Sequence, residues 1–345
     1  MTTVNQTMLE KSFVQKHPVI TFLLINFAWT WAFWLAAVPF RGQDNLLTLA
    51  LVLAGGFGPA LAGVITLRLK SGDKIDFSPK RLLALLLGAA IIFGVFSLRY
   101  VVGNIPNYEQ LAGDLTINAS IFAGGLVASL AGGWVLSSAV SNIKLVQDRM
   151  KTLLPWRTSV SWTLLSLIFY PIMILLAWGL SSLLGMGVEY PALWGAPVME
   201  SLPYYALTFA LVAFAQGGNE EPGWRGLMQP ELQNRYSPLV AALIVSVFWS
   251  LWHLPLYFNG TYPGDVVGGM IGGFIFRILL SIFLAWFYNR SGGNLFAMVL
   301  LHTSFNVMVN FLPTSDAGLL LLWLLVVVIV VIKDKMWRKA PVELG

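Results

Sequence analysis

The 345-residue sequence has no cysteine, which excludes disulfides, thiolate metal sites and a cysteine nucleophile. Charge is scarce as well: Asp, Glu, Lys and Arg make up 11% of residues, against roughly 25% in ordinary globular domains. Histidine occurs only at His17, His253 and His302, and there is no HExxH zinc-protease motif. No polar stretch between the apolar segments is long enough for a soluble domain, and no internal repeat or low-complexity tail is visible.

What fills the chain is oil. Hydrophobic residues make up 57% and mean hydropathy is +0.74, and a hydrocarbon core about 30 Å thick takes roughly 20 apolar residues per helix. Ten such segments can be placed, at 18–40, 46–67, 82–98, 120–140, 158–184, 201–217, 238–257, 266–288, 293–311 and 316–332. The expectation is an all-α polytopic membrane protein with about ten transmembrane helices. Residues 1–195 are expected to supply about five spans, and residues 196–345 the other five, carrying the site. The first apolar run follows Lys11 and Lys16 as a secretory signal would, yet it is too long and lacks a small-residue cleavage site, so it reads as an uncleaved helix.

Basic residues set the orientation. Eighteen of the 21 lysines and arginines fall in gaps on one side of the alternation and only Arg41 and Arg99 on the other, with Arg277 inside a span. Because cytoplasmic loops carry the excess of Lys and Arg, both termini are expected in the cytoplasm, with the loops near 104–118 and 185–200 outside. The net charge of +5 is therefore an orienting charge next to the lipid bilayer and implies no nucleic-acid partner. Gly125, Ser129 and Gly133 recur at helical spacing and suit close helix packing in lipid.

Ionisable residues inside a span are costly and mark candidate functional sites. They are Glu220, Glu221 and Arg225 in "NEEPGWRG", His253 in "WSLWH", Arg277, and His302 with Asn306 in "HTSFN". At 1.5 Å per residue, Glu220 lies about 21 Å, His253 about 28 Å, and His302 and Arg277 about 18 Å from their cytoplasmic turns. One layer of the membrane can hold all of them. Glu221 and Arg225 are four apart and face each other, whereas Glu220 and Arg225 diverge, so Arg225 is expected to neutralise Glu221 and leave Glu220 free. Pro222, with Gly217, Gly218 and Gly223, implies a kinked or restarted helix, tolerable at this depth only where it lines protein or water. For Arg277, support of the site, a counter-ion to Glu220 and a snorkelling side chain all remain open.

The three motifs EExxxR, FxxxH and HxxxN resemble those of the CAAX protease and bacteriocin-processing (Abi) family of intramembrane proteases, which includes the Ras-converting CAAX prenyl endopeptidases. Here they read "EEPGWR" (Glu220 to Arg225), "WSLWH" (Trp249 to His253) and "HTSFN" (His302 to Asn306), and the resemblance covers roughly residues 200–312. The one departure is Trp249 in place of phenylalanine, expected to change aromatic bulk without touching the chemistry. The resemblance implies an intramembrane endopeptidase acting on a membrane-associated peptide or protein. Glu220 would be the general base with His253 as partner, His302 and Asn306 the oxyanion donors, and Glu221, Arg225, Trp249 and Arg277 their surroundings.

No cofactor is expected on this reading. Zinc held by Glu220, His253 and His302 is the alternative within the same protease class. A transporter or bacteriocin-immunity scaffold is the alternative outside it; against that stand the missing inverted repeat and the clustering of polar residues in one layer. The lack of cysteine and the style of the motifs point to a bacterial or archaeal plasma membrane.

Overall fold

The computed structural model describes residues 12–41, 46–103, 115–191, 194–195, 198–262 and 264–339. Among these residues the helices are, in chain order, α1 (Pro18–Ala36), α2 (Leu46–Gly56), α3 (Gly58–Ser71), α4 (Pro79–Gly103), α5 (Leu115–Ser137), α6 (Lys144–Met150), α7 (Val160–Leu184), α8 (Val198–Ala215), α9 (Pro238–Trp252), α10 (Val266–Arg290), α11 (Leu295–Met308) and α12 (Asp316–Lys333), joined by shorter turns. The described residues form no strand beyond an isolated bridge between Glu189 and Thr314. Eight helical segments among them are long and apolar enough to cross a membrane. The sixth and ninth expected spans correspond to α8 and to the 14-residue α11. The chain is an all-α polytopic integral membrane protein.

Apolar side chains point both ways, as lipid permits. Leu82, Leu83, Leu86, Leu87 and Ile91 on α4, and Leu324, Leu325, Val328, Ile329 and Ile332 on α12, are exposed. The small-residue stripe of α5 packs against α4, where a Cβ on Gly133 would lie 2.5 Å from the Leu85 carbonyl and one on Gly125 would lie 2.6 Å from Phe96. Backbone approach of this kind substitutes packing for the hydrophobic drive that lipid removes.

The second expected span is two helices, α2 and α3, broken at Phe57. Pro59 has no N–H to give the Gly55 carbonyl, and Thr30 Oγ1 donates to that oxygen instead at 2.9 Å. Neighbouring carbonyls receive donors in the same way: Ala54 from Trp29 Nε1, Val52 from Trp34 Nε1 and Gly56 from Asn219 Nδ2, each at 2.9 Å. Irregular backbone at membrane depth is tolerated because side chains satisfy it.

The basic loops share one face. Gln15 Nε2 donates to the Lys70 carbonyl, Lys70 pairs with Glu231 at 2.6 Å, Asn294 Nδ2 donates to the Arg157 carbonyl, and Arg290 pairs with Asp334. Asp76 ties the loop before α4 to the one before α6, accepting from the Asn142 N–H at 2.6 Å and Ser141 Oγ at 3.1 Å. Burial alone would raise its pKa, but these bonds and those from Ser78 hold the carboxyl down at about 2. Helix ends on the alternate side meet where Asn259 Nδ2 donates to the Trp34 carbonyl and where Glu189 bridges Thr314. Residues 104–114 of the expected outer loop lie outside the described residues.

Candidate active site

α8 stops at Ala215, and the chain then turns through Gly217 before a helical stretch from Gly218 to Gln233 resumes. Gly217 has φ of 150°, a backbone state that strongly favours glycine. The resumed stretch contains one wide turn, a π-helix over Trp224–Met228, with the Gln229 N–H on the Trp224 carbonyl. Pro230 cannot donate to Gly226, so an α-helical ladder would have a gap here in any case. Such π-bulges are frequent at functional sites. The kink expected at this motif is present, at Gly217 and not at Pro222. Pro222 and Gly223 instead press on α3, where a Cβ on Gly223 would lie 2.2 Å from the Pro59 carbonyl.

The resumed turn, α9, α10 and α11 surround a cavity of about 870 Å³ lined by Glu220, Trp249, His253, Arg277, His302 and Asn306, among others. The side chains that separate loops of sequence place on four helical segments are therefore gathered around one space. Glu221 and Arg225 are fully buried beside it.

Two adjacent glutamates have different partners. Glu221 Oε1 accepts from Arg225 Nη1 at 3.2 Å and from His302 Nδ1 at 2.6 Å. The expected i,i+4 pair exists, but Arg225 does not hold Glu221 alone. Glu220 Oε2 accepts from Trp249 Nε1 at 2.6 Å, and Oε1 has no partner among the described residues. The contact adds to the aromatic bulk expected of Trp249. Its indole N–H reaches the glutamate, as a phenylalanine could not, and its ring lies 4.9 Å from the Arg225 guanidinium carbon and 5.5 Å from the His302 ring. Trp249 joins all three motifs.

The histidines are oriented by their Nδ1 atoms. His253 ends α9, where its own N–H bonds the Ser250 carbonyl at 3.2 Å and Pro255 follows. That leaves the Trp249 carbonyl to His253 Nδ1 at 2.6 Å. A carbonyl only accepts, so Nδ1 carries the proton and Nε2 of the neutral ring presents its lone pair. His302 is anchored to Glu221 in the same manner, leaving Nε2 on the side of Gly217, where an added Cβ would lie 3.3 Å away. Asn306 gives one N–H to the Gln216 carbonyl at 3.0 Å and keeps its other N–H and its oxygen.

Arg277 is 9% exposed. Its Nη1 and Nη2 reach Tyr257 and Tyr262 hydroxyls at 3.4 and 3.5 Å, and it forms no ion pair with Glu220 or any other carboxylate among the described residues. Of the three roles left open by the sequence, the counter-ion to Glu220 is not what the geometry provides. No three His, Cys, Asp or Glu side chains among the described residues are grouped to hold a metal ion.

Sequence reasoning missed Gly217 as a site residue and did not name Tyr257 or Tyr262. Gly217 was readable only as a helix breaker; that its bare Cα makes room for His302 and Asn306 depends on a contact across 85 residues of chain. The tyrosines carry no motif.

Residues 202–308 match the family model for type II CAAX prenyl endopeptidases, Rce1-like. That segment holds every motif residue described above. A protein named CAAX prenyl protease 2, from Methanococcus maripaludis, is 48% identical over 48 residues, which are 14% of this chain and 18% of that protein.

Proposed function

We propose that the chain is an intramembrane endopeptidase that hydrolyses a peptide bond of a membrane-associated peptide or protein with water activated by Glu220. The observation that carries this reading is the different setting of the two glutamates: Glu221 holds Arg225 and His302 through Oε1 and has its other oxygen sealed in the core, whereas Glu220 lines the cavity with Oε1 unpartnered among the described residues. In the reaction, Glu220 Oε1 takes a proton from water, and the water oxygen attacks the scissile carbonyl carbon. His253 Nε2 accepts a hydrogen bond from that water and orients it. The tetrahedral oxyanion is met by the free N–H of Asn306 and, when the ring is protonated, by Nε2–H of His302, with Glu221 holding the other side of the ring. Glu220 then returns the proton to the departing amine as the C–N bond breaks, leaving a carboxylic acid and an amine.

No metal enters this scheme, and the Trp249 bond to Glu220 is consistent with that. The distribution of Lys and Arg supports both termini on the cytoplasmic side, and we place the chain in a prokaryotic plasma membrane from the style of its motifs.

The test compares membrane peptides by mass spectrometry in cells making the wild-type chain or Glu220→Gln. A positioned base contributes 10²-fold or more, so the products should all but disappear in the variant at unchanged folded yield. Products that persist, or cleavage lost on chelation and restored by zinc, would refute the mechanism. Orientation has its own probe, since the chain has no cysteine: a Cys at position 74 should resist an impermeant thiol reagent in intact cells, and its labelling would reverse the topology.

A further inference from the structure

A second cavity, of about 320 Å³, lies apart from the candidate active site, where α3, α4, α5 and α6 meet on the basic face. Arg68 and Arg81 both line it, with Val64, Leu69, Ile75 and Trp134 among its apolar walls. Arg81 is 3% exposed. Its guanidinium lies over Trp134, with Cζ 4.3 Å from the ring centroid, which occupies the flat face and leaves the N–H groups at the edge. Those donors are poorly used: Nη1 reaches the Asp76 carbonyl and Nη2 the Ser138 hydroxyl at 3.4 Å each, long beside the roughly 2.7–2.9 Å of charge-assisted bonds. The Nε atoms of Arg81 and Arg68 are both enclosed and have no hydrogen-bond partner among the described residues. The Asp76 carboxylate is spent on the N–H groups of Ser78 and Asn142 and on the Ser141 hydroxyl, and neither arginine forms an ion pair among the described residues.

We infer that Arg68 and Arg81 form a binding site for the phosphate of a phospholipid in the leaflet next to the basic face, with the glycerol and first acyl carbons against Leu69, Ile75 and Trp134. A buried charged donor without a partner is costly, and the planar fork of a guanidinium matches two phosphate oxygens. Two arginines beside the one carboxylate of Asp76 leave a single positive charge, which a phosphodiester offsets. The volume is about ten times the roughly 30 Å³ share of a water in the liquid, room for a phosphate and its glycerol. Position favours a lipid over a free anion. Ile75, Phe77, Leu82 and Leu83, in and just after the α3–α4 connection, are exposed, a surface for acyl chains, and basic pockets between transmembrane helices on the cytoplasmic side recur as sites for lipid headgroups. The site stands independently of the endopeptidase reading, yet α3 joins the two. Arg68 shares that helix with Gly63, where an added Cβ would lie 3.0 Å from the Pro222 carbonyl, so a lipid held here braces the helix on which the resumed turn rests.

The experiment titrates the purified full chain, in uncharged maltoside micelles, with dioleoyl phosphatidylglycerol, dioleoylglycerol or inorganic phosphate, and reads bound ligand by native mass spectrometry. Phosphatidylglycerol should bind about tenfold or more tightly than either of the others, since one lacks the phosphate and the other the chains. Arg68→Gln and Arg81→Gln should each weaken it about tenfold, whereas Lys144→Gln, at an exposed lysine on the same face, should leave it unchanged. Arg68 is half-buried and has no ion pair to lose, so Arg68→Gln decides the outcome even where Arg81→Gln fails to fold. Inorganic phosphate that binds as tightly as the lipid would make this a free-anion site and overturn the lipid assignment. Dioleoylglycerol that matches phosphatidylglycerol would overturn the role of the phosphate. Undiminished binding in Arg68→Gln, an equal loss in Lys144→Gln, or no binding of phosphatidylglycerol would overturn the site itself.

Discussion

Two arginines sit inside the membrane-spanning core, in opposite circumstances. Arg225 is closed off, paired with Glu221 and covered by the Trp249 ring; Arg277 lines the cavity and has two tyrosine hydroxyls for company. The first charge is part of the framework, because the carboxylate that balances it also orients His302. The second has no balancing carboxylate among the described residues. What distinguishes the two is whether a counter-charge is packed beside them, and residue type says nothing about that.

The sharpest way to break the comparison is to remove each side chain's charge. Arg225→Leu leaves Glu221 charged and buried, and breaking a buried pair in this way costs about 3–5 kcal/mol, to be read as a large drop in thermal stability in nanodiscs. Adding Glu221→Leu should recover part of that loss, the remainder reflecting the freed His302. A double variant no more stable than Arg225→Leu would show that the pair has no such coupling.

A smaller effect is expected at the residue shared between the two glutamate environments. Trp249→Phe keeps an aromatic ring and removes the hydrogen bond to Glu220, worth about 1.5–3 kcal/mol when a charged group is involved. Turnover should fall about ten- to a hundredfold with little change in folded yield. Unchanged turnover would mean that the indole supplies bulk alone. The smallest change in stability belongs to Arg277→Leu, expected within about 1 kcal/mol of wild type because no carboxylate is orphaned; a loss matching that of Arg225→Leu would erase the distinction between the two.

Class, helix placement and motif residues were all legible in the sequence, for one physical reason. A bilayer demands long apolar runs, so every polar residue inside them stands out, and Glu220, His253, His302 and Arg277 could be assigned to one depth by counting residues. Spacing along a single helix also predicted the Glu221–Arg225 pair, since i and i+4 meet whatever surrounds them. Contacts between helices have no such local rule. The second hold on Glu221, from His302, crosses 81 residues; the indole bond to Glu220 crosses 29. Neither could be read from spacing, and the second puts Trp249 in hydrogen-bond contact with Glu220.

The linear order of residues therefore determined which groups this protein carries into the membrane and at what depth, because hydrophobic length and helical rise are properties of a segment by itself. Which glutamate is occupied, which nitrogen of each histidine stays free, and which arginine lacks a carboxylate were decided only when α3, α9, α10 and α11 packed around the turn at Gly217. Those outcomes depend on a few ångströms between side chains far apart in sequence, and only tertiary packing sets distances of that kind.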